Sequence, residues 1–306
     1  MMEILGKTNI DFMGKRNLAF VFSGGLVFLG FLAVVWILIG SANLGIDFSG
    51  GTAVQLKFDK PLPIEEARKA VEKHGLGEAE LQEFTQDQKL LIRVKTGHTI
   101  EEEIGKTIIH VFETEFPDYS FVVDSSTSIG PTIGQKLQED ALVAVVLSLI
   151  GIIFYIAVRF EFRFGMAAAI ATFHDVLAVL GIYFLLNKEV TLLVVTALLT
   201  LAGYSLTDTV VVFDRIRENL RQRRRESISD IINNGINQVL SRTLITTLTV
   251  VLVLVPLTLF GGEVLHDFSL ALLLGVLIGT YSSIFVASPM LLIWPGDEGK
   301  LLRKNK

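Results

Sequence analysis

The sequence predicts a polytopic α-helical membrane protein, with six transmembrane helices and one small α+β domain between the first and second of them. Three observations carry this expectation. Hydrophobic residues make up 51% of the 306-residue chain and charged residues only 19%, where soluble domains carry about 25% charged residues. The apolar residues gather in long runs, and Lys and Arg collect in alternate loops between those runs. The net charge of -5 decides little, because the two signs are segregated along the chain. Cysteine is absent, which excludes a disulfide framework and any thiolate metal site.

A spanning helix needs about 20 apolar residues. The runs of that order are Leu18–Ile39, Ala141–Val158, Phe164–Leu186, Val190–Phe213, Thr243–Phe260 and Phe268–Trp294. The first follows Lys15 and Arg16 as a signal peptide would. It exceeds the roughly 7–15 residues of a signal's apolar core, so it is expected to remain as a span. Charge then orients the loops, since short loops rich in Lys and Arg stay cytoplasmic. Residues 1–17 hold Lys7, Lys15 and Arg16, and the link after the second span holds Arg159 and Arg163. Arg215, Arg217, Arg221 and the run Arg223–Arg225 follow the fourth span, and residues 295–306 hold Lys300, Arg303, Lys304 and Lys306. The loops Asn187–Glu189 and Gly261–Asp267 share a single Lys. Both termini are expected inside, and residues 43–138 outside.

Those residues, Asn43 to Gln138, carry the only stretch long enough for a separate domain. Alternation in Ala53–Phe58 reads as a strand. Pro63, then Ala67, Ala70 and Val71 at helical spacing, reads as a helix that Gly75 stops. Leu81–Phe84 and Leu90–Val94 read as two strands joined by a turn at Gln86-Asp87. Thr99 with Glu102 three residues on is a capping box, opening a helix that runs to about Phe116. Tyr119–Val123 closes the domain as a last strand. The order βαββαβ is the ferredoxin-like split unit. On the inner side, residues 214–241 contain Ile228, Ile231, Ile232, Ile236 and Leu240 at helical spacing. This amphipathic stretch suits either a helix lying on the membrane surface or a hairpin packed on its own spans.

Ionisable groups inside spans cost about 2.5–3.5 kcal/mol on insertion scales, so they persist where they are paired or functional. His174-Asp175 stands midway along the third span, and Asp208 lies near the inner end of the fourth. Arg242 opens the fifth span from that same side, so an ion pair with Asp208 is expected. His174 and Asp175 are adjacent and should point apart, since neighbours at i and i+1 do not face each other. They are not expected to form a shared metal site. No HExxH, GxSxG or P-loop sequence is present, which disfavours the usual proteases, hydrolases and ATPases. No cofactor is expected. The Arg221–Arg225 run beside a span reads as topology signal or contact with anionic lipid, not nucleic acid. Gly275 and Gly279 form a small-xxx-small face for close packing with an unidentified helix.

Three stretches carry a resemblance. Gly45-Ile46-Asp47-Phe48-Ser49-Gly50-Gly51-Thr52 follows the first span, and Ile129-Gly130-Pro131-Thr132-Ile133-Gly134 precedes the second. Residues 203–219, Gly203-Tyr204-Ser205-Leu206-Thr207-Asp208 onward to Asn219, run through the end of the fourth span. With Ser241-Arg242-Thr243, they resemble the SecD/SecF family of protein-export membrane proteins, within the resistance–nodulation–division superfamily. The resemblance implies a non-enzymatic subunit of the bacterial cytoplasmic membrane that uses the proton gradient. It implies SecD as partner, the SecYEG channel beside it, and YajC and YidC as further candidates. An unfolded preprotein would be the substrate, with membrane lipid around it and no nucleic acid. Asp208 and Arg242 match positions of the proton path, and His174-Asp175 matches a polar pair in the same region. Gly45, Asp47, Gly50, Gly51, Gly130 and Pro131 would tether a moving outer domain. Two alternatives stay open beside this one: an exporter subunit of that superfamily for lipids or small molecules, and a non-transporting assembly scaffold. Ionisable residues at depth weigh against the scaffold.

Overall fold

The computed structural model describes residues 8–77, 79–84, 87–95, 101–222 and 226–293. Lys7, Gln86, Thr99, Arg223–Arg225, Trp294 and residues 295–306, named above, lie outside the described residues. The described chain has six helices long and apolar enough to cross a membrane. In order, α1 is Arg16–Leu38, α5 Pro131–Arg159, α6 Phe162–Leu185, α7 Leu192–Gln222 and α8 Ile228–Phe260. The sixth span begins as α9, Gly262–Ser282, and passes through a π-helical turn, Ser283–Ala287, into α10, Ser288–Ile293. Between α1 and α5 come the one-turn helix α2, Ile46–Ser49, then β1, Gly51–Phe58, and α3, Ile64–Lys73. They are followed by β2, Glu80–Phe84, β3, Lys89–Lys95, α4, Glu101–Glu115, and β4, Phe121–Ile129.

The chain divides into two compact units, residues 43–144 with 189–192, and the remainder. In the first, four antiparallel strands take the order β2-β3-β1-β4. That is the ferredoxin-like arrangement. The core lies on the helix-covered face, where Val54, Leu56 and Phe58 of β1 meet Ala67 and Val71 of α3 and Ile108 and Phe112 of α4. The two-residue period of β1 and the helical period of α3 and α4 thus point at one another. β4 is longer than its expected Tyr119–Val123, because the polar run Ser125–Ser128 pairs with β1 beyond a register shift at Gln55/Leu56 that passes over Asp124. A Ser- and Thr-rich run with no apolar alternation carries no strand signal of its own.

In the helical unit, α6 and the sixth span are the most enclosed, and α5 is almost bare along its apolar length. Gly275 and Gly279 find their partner in α7. A Cβ on Gly275 would come 2.5 Å from a methyl of Leu201, and one on Gly279 3.1 Å from the Cβ of Ser205. The amphipathic stretch 214–241 is not a separate surface helix. α7 runs on to Gln222, and α8 starts at Ile228 and continues unbroken into the span. Ile231, Ile232 and Ile236 bury against Ile216, Leu220 and Phe164, so the packed hairpin is the arrangement adopted. Most of its apolar stripe is covered by protein, with Ile228 and Val239 half-buried at its margin. Ser227 caps α8 by accepting from Asp230 N at 3.1 Å. Asn233 and Asn237 clamp the N-terminal strap, Asn233 Oδ1 accepting from Phe12 N at 2.8 Å and Asn237 Oδ1 from Ile10 N at 2.9 Å.

Candidate functional site

Among the described residues of the helical unit, one polar cluster holds Asp175 and another Asp208, and α7 and α9 contribute to both. Asp175 of α6 is fully buried. It accepts hydrogen bonds from Ser282 Oγ of α9 at 2.8 Å, from Ser205 Oγ of α7, and from His174 Nδ1 at 2.8 Å. The expectation that His174 and Asp175 point apart is therefore corrected. With both side chains buried, no water reaches the imidazole N–H, and the adjacent carboxylate is the acceptor within reach. His174 Nε2 is left buried without a partner, an acceptor lone pair if Nδ1 carries the proton.

The second cluster surrounds Asp208 of α7, which is 8% exposed. Thr280 of α9 and Arg242 of α8 are its polar neighbours. Thr280 in turn shares a hydrogen bond with Thr247 of α8 at 2.7 Å. The expected ion pair is not closed: Arg242 acts on Asp208 through space, and Asp208 Oδ2 has no hydrogen-bond partner. Arg242 sits on an exposed face of α8, where its guanidinium can reach away from the unit. What the cluster offers chemically is a buried carboxylate with one free oxygen beside a cation that cannot lose its proton.

In the other unit the two glycine-bearing stretches meet. Gly50 has φ +71° and Gly51 φ +145°, backbone that side-chain-bearing residues rarely adopt. A Cβ on Gly51 would lie 2.4 Å from Val94 O, one on Gly50 3.1 Å from Pro131, and one on Gly134 2.9 Å from Phe48 O. Gln138 Nε2 donates to Phe48 O at 2.8 Å. Asp47 Oδ2 accepts from Leu192 N at 3.0 Å, and Gly45 N donates to Val190 O at 3.0 Å. The entry and exit of the domain are thus one close-packed junction, and the loop before α7 is stitched into it.

Sequence reasoning missed Ser205, Ser282, Thr280 and Thr247 as partners of the acids. The signal was present in part, since Thr280, Ser282, Ser283 and Ser288 crowd hydroxyls into an otherwise apolar span next to a π-helical turn, a common mark of function. It also missed Glu80 and Glu189, whose carboxyls face each other. Nothing local marks that pair. Burial first, then the contact with Glu80, pushes Glu189 up to about 8. Burial opposes the Glu80 carboxylate as well, but the hydrogen bond from Glu189 and the Lys95 ammonium outweigh it and hold Glu80 below its ordinary value.

Taken together, the fold and the buried acids define a polytopic membrane protein with six hydrophobic helices, a ferredoxin-like insertion after the first, and titratable groups enclosed among the helices. Residues 109–297 match the family described as "Protein export membrane protein SecD/SecF, C-terminal", and residues 42–62 match the "SecD/SecF GG Motif". The chain belongs to the SecD/SecF family. It is 48% identical over 295 residues to the protein translocase subunit SecF of Thermodesulfovibrio yellowstonii, covering 96% of this chain and 97% of that one. It is 41% identical over 305 residues to the SecF subunit of Magnetococcus marinus, covering 98% and 97%. The crystal structure of SecDF from Thermus thermophilus, a translocon-associated membrane protein, superposes with a TM-score of 0.80 at 35% identity. That match covers 94% of this chain and 39% of the longer SecDF chain.

Proposed function

We propose that this translocase subunit, paired with SecD, uses the proton gradient across the bacterial cytoplasmic membrane to promote late steps of preprotein export through SecYEG. The observation that carries the reading is Asp208: a buried carboxylate with an unpartnered oxygen beside Arg242. Such a group has two states, charged and held by the cation, or protonated and released. His174 and Asp175, with an unpartnered Nε2 on the same network, form a second place where a proton can rest. The output is movement of the outer domain about the junction at Gly45, Asp47, Gly50, Gly51, Gly130 and Pro131, so that the domain holds an emerging unfolded chain against backsliding.

The SecD pairing draws support from the surface of α7. Thr196, Thr200, Gly203 and Thr207 form one exposed stripe, with Thr200 and Thr207 bonded to their own helix carbonyls at 2.8 Å and 3.2 Å. Small, internally satisfied residues suit close approach by another helix and offer lipid nothing. A Cβ on Gly203 meets nothing within 4 Å. Gly203→Leu should therefore leave this chain folded while SecD recovered with the tagged protein falls about tenfold, a loss of about 1.4 kcal/mol. Undiminished recovery of SecD from that variant would remove this face from the pairing, and failure of the unsubstituted protein to recover SecD and SecYEG would remove the function proposed.

Orientation is tested separately. With both termini cytoplasmic, alkaline phosphatase fused after Lys89 should be active and the same enzyme fused after Arg223 silent. The reverse pattern would invert the topology.

A further inference from the structure

Residues Glu189–Leu192, between α6 and α7, pack as part of the ferredoxin-like unit. Backbone bonds fasten them there, Val190 N donating to Asn43 O at 2.9 Å and Gly45 N to Val190 O at 3.0 Å. A side-chain cluster adds to this at the sheet. Glu189 is 5% exposed, and Arg93 Nε of β3 lies 3.5 Å from its Oε2. No N–H or O–H donor reaches its Oε1, and the group it packs against is the carboxyl of Glu80 on edge strand β2. Glu80 Oε1 takes Lys95 Nζ of β3 at 3.0 Å, and Lys95 also donates to Asn43 Oδ1 at 2.7 Å. The charged groups facing the pair are thus Arg93 on the side of Glu189 and Lys95 on the side of Glu80.

Two ionised carboxylates in contact repel, and a single proton between them converts that repulsion into a short O–H···O bond. Lys95 stabilises the charge on Glu80, so the proton belongs on the more buried Glu189, whose orphaned oxygen it satisfies. We propose that Glu189 and Glu80 form a one-proton carboxyl clasp that fastens the loop before α7 to edge strand β2, and that alkaline pH opens it. Burial and the Glu80 contact, which raise Glu189 from 4.5 to about 8, support this. The sign follows from linkage. A group that binds its proton more tightly when packed than when free contributes fully below its free pKa, and that contribution is lost as pH rises through its packed pKa. The clasp therefore weakens from about 4.5 upward and is lost above about 8. Glu80 works in the opposite sense, keeping its charge until the pH falls below its ordinary range. Residues 189–192 continue directly into α7, the helix that carries Asp208, so opening the clasp frees the start of that helix from the sheet.

The test uses the full-length protein in lipid nanodiscs, titrated from about pH 6 to about pH 9.5. Infrared spectra report the protonated-carboxyl stretch, and hydrogen exchange, corrected for the intrinsic pH dependence, reports protection in residues 80–84 and 189–192. The expected result is a carboxyl band that titrates away near pH 8 and is missing from Glu189→Gln. Protection in both segments should fall by up to about tenfold per unit as the pH rises toward that value, and level off above it. Glu189→Gln removes the titrating group, so its protection should be flat with pH, and Glu80→Gln sets an amide donor opposite the Glu189 carboxylate, so its loss of protection should be smaller than in the unsubstituted protein. Should Glu189→Gln fail to fold, Glu80→Gln alone carries the comparison, because Glu80 lies at the edge strand. Protection in the unsubstituted protein that does not change with pH, or a loss in Glu80→Gln as large as in the unsubstituted protein, would overturn the clasp. Neither readout depends on export.

Discussion

Asp208→Asn is expected to abolish the dependence of late export on a proton gradient while the protein remains folded in the membrane at its normal level. The amide has the shape of the protonated acid and cannot titrate, so it holds the site permanently in one state. A proton crossing about 100 mV makes about 2.3 kcal/mol available, enough to bias two arrangements that differ by a few kcal/mol. That bias is lost with the titratable group. Asp208 Oδ2 makes no hydrogen bond, so the substitution breaks none there and removes a buried charge. Asp208→Glu keeps the acid and should retain part of the activity. Arg242→Lys keeps the charge but loses the planar guanidinium, and a partial defect is expected. The measurement is translocation into vesicles with and without a gradient, at matched protein levels. If Asp208→Asn responds to the gradient as the parent does, proton coupling at this residue is wrong. If it instead lowers the amount of protein in the membrane, the role is structural.

The largest effect on folding is expected at Gly30. A Cβ there would lie 2.1 Å from the backbone oxygen of Leu177, and one on Gly181 would lie 2.6 Å from Gly30 N. α1 and α6 cross backbone to backbone at this point, and no side-chain rearrangement relieves a clash with a carbonyl. Overpacking commonly costs about 1–3 kcal/mol and more where backbones must part, so Gly30→Leu should remove most of the folded protein. The same helix supplies its own control. A Cβ on Gly24 or Gly25 meets nothing within 4 Å, and both residues are exposed. Gly25→Leu should be neutral or slightly stabilising, since Gly is a poor helix former by about 1 kcal/mol. Thermal stability in detergent, compared across the two variants, settles it. Equal loss from both would mean that α1 and α6 do not cross here.

Much of the candidate site was legible along the chain. Asp175, His174, Asp208 and Arg242 announce themselves as ionisable groups in apolar runs, where their cost demands an explanation. Their relations did not follow from position. Helix geometry argued that adjacent His174 and Asp175 should diverge, yet burial joined them. Sequence spacing paired Asp208 with Arg242, yet the hydroxyl of Thr280, far along the chain, is the other polar neighbour. The Gly45–Gly51 and Gly130–Gly134 stretches were visible as motifs, but not as the two halves of one junction.

The sequence by itself determined the six hydrophobic helices, the place of the insertion, and the alternation of strands and helices within it. These are properties of length and period, set by what each short segment can bury alone and readable without knowing what lies opposite. Only the tertiary structure decided that Gly30 faces a backbone carbonyl and Gly25 open space, that the hairpin of α7 and α8 packs on protein, and that Glu189 meets Glu80. Each of those depends on which surfaces come into contact across long separations in the chain. A glycine, an amphipathic stripe or a lone loop carboxylate looks the same in sequence whether a backbone, a lipid or another acid stands against it.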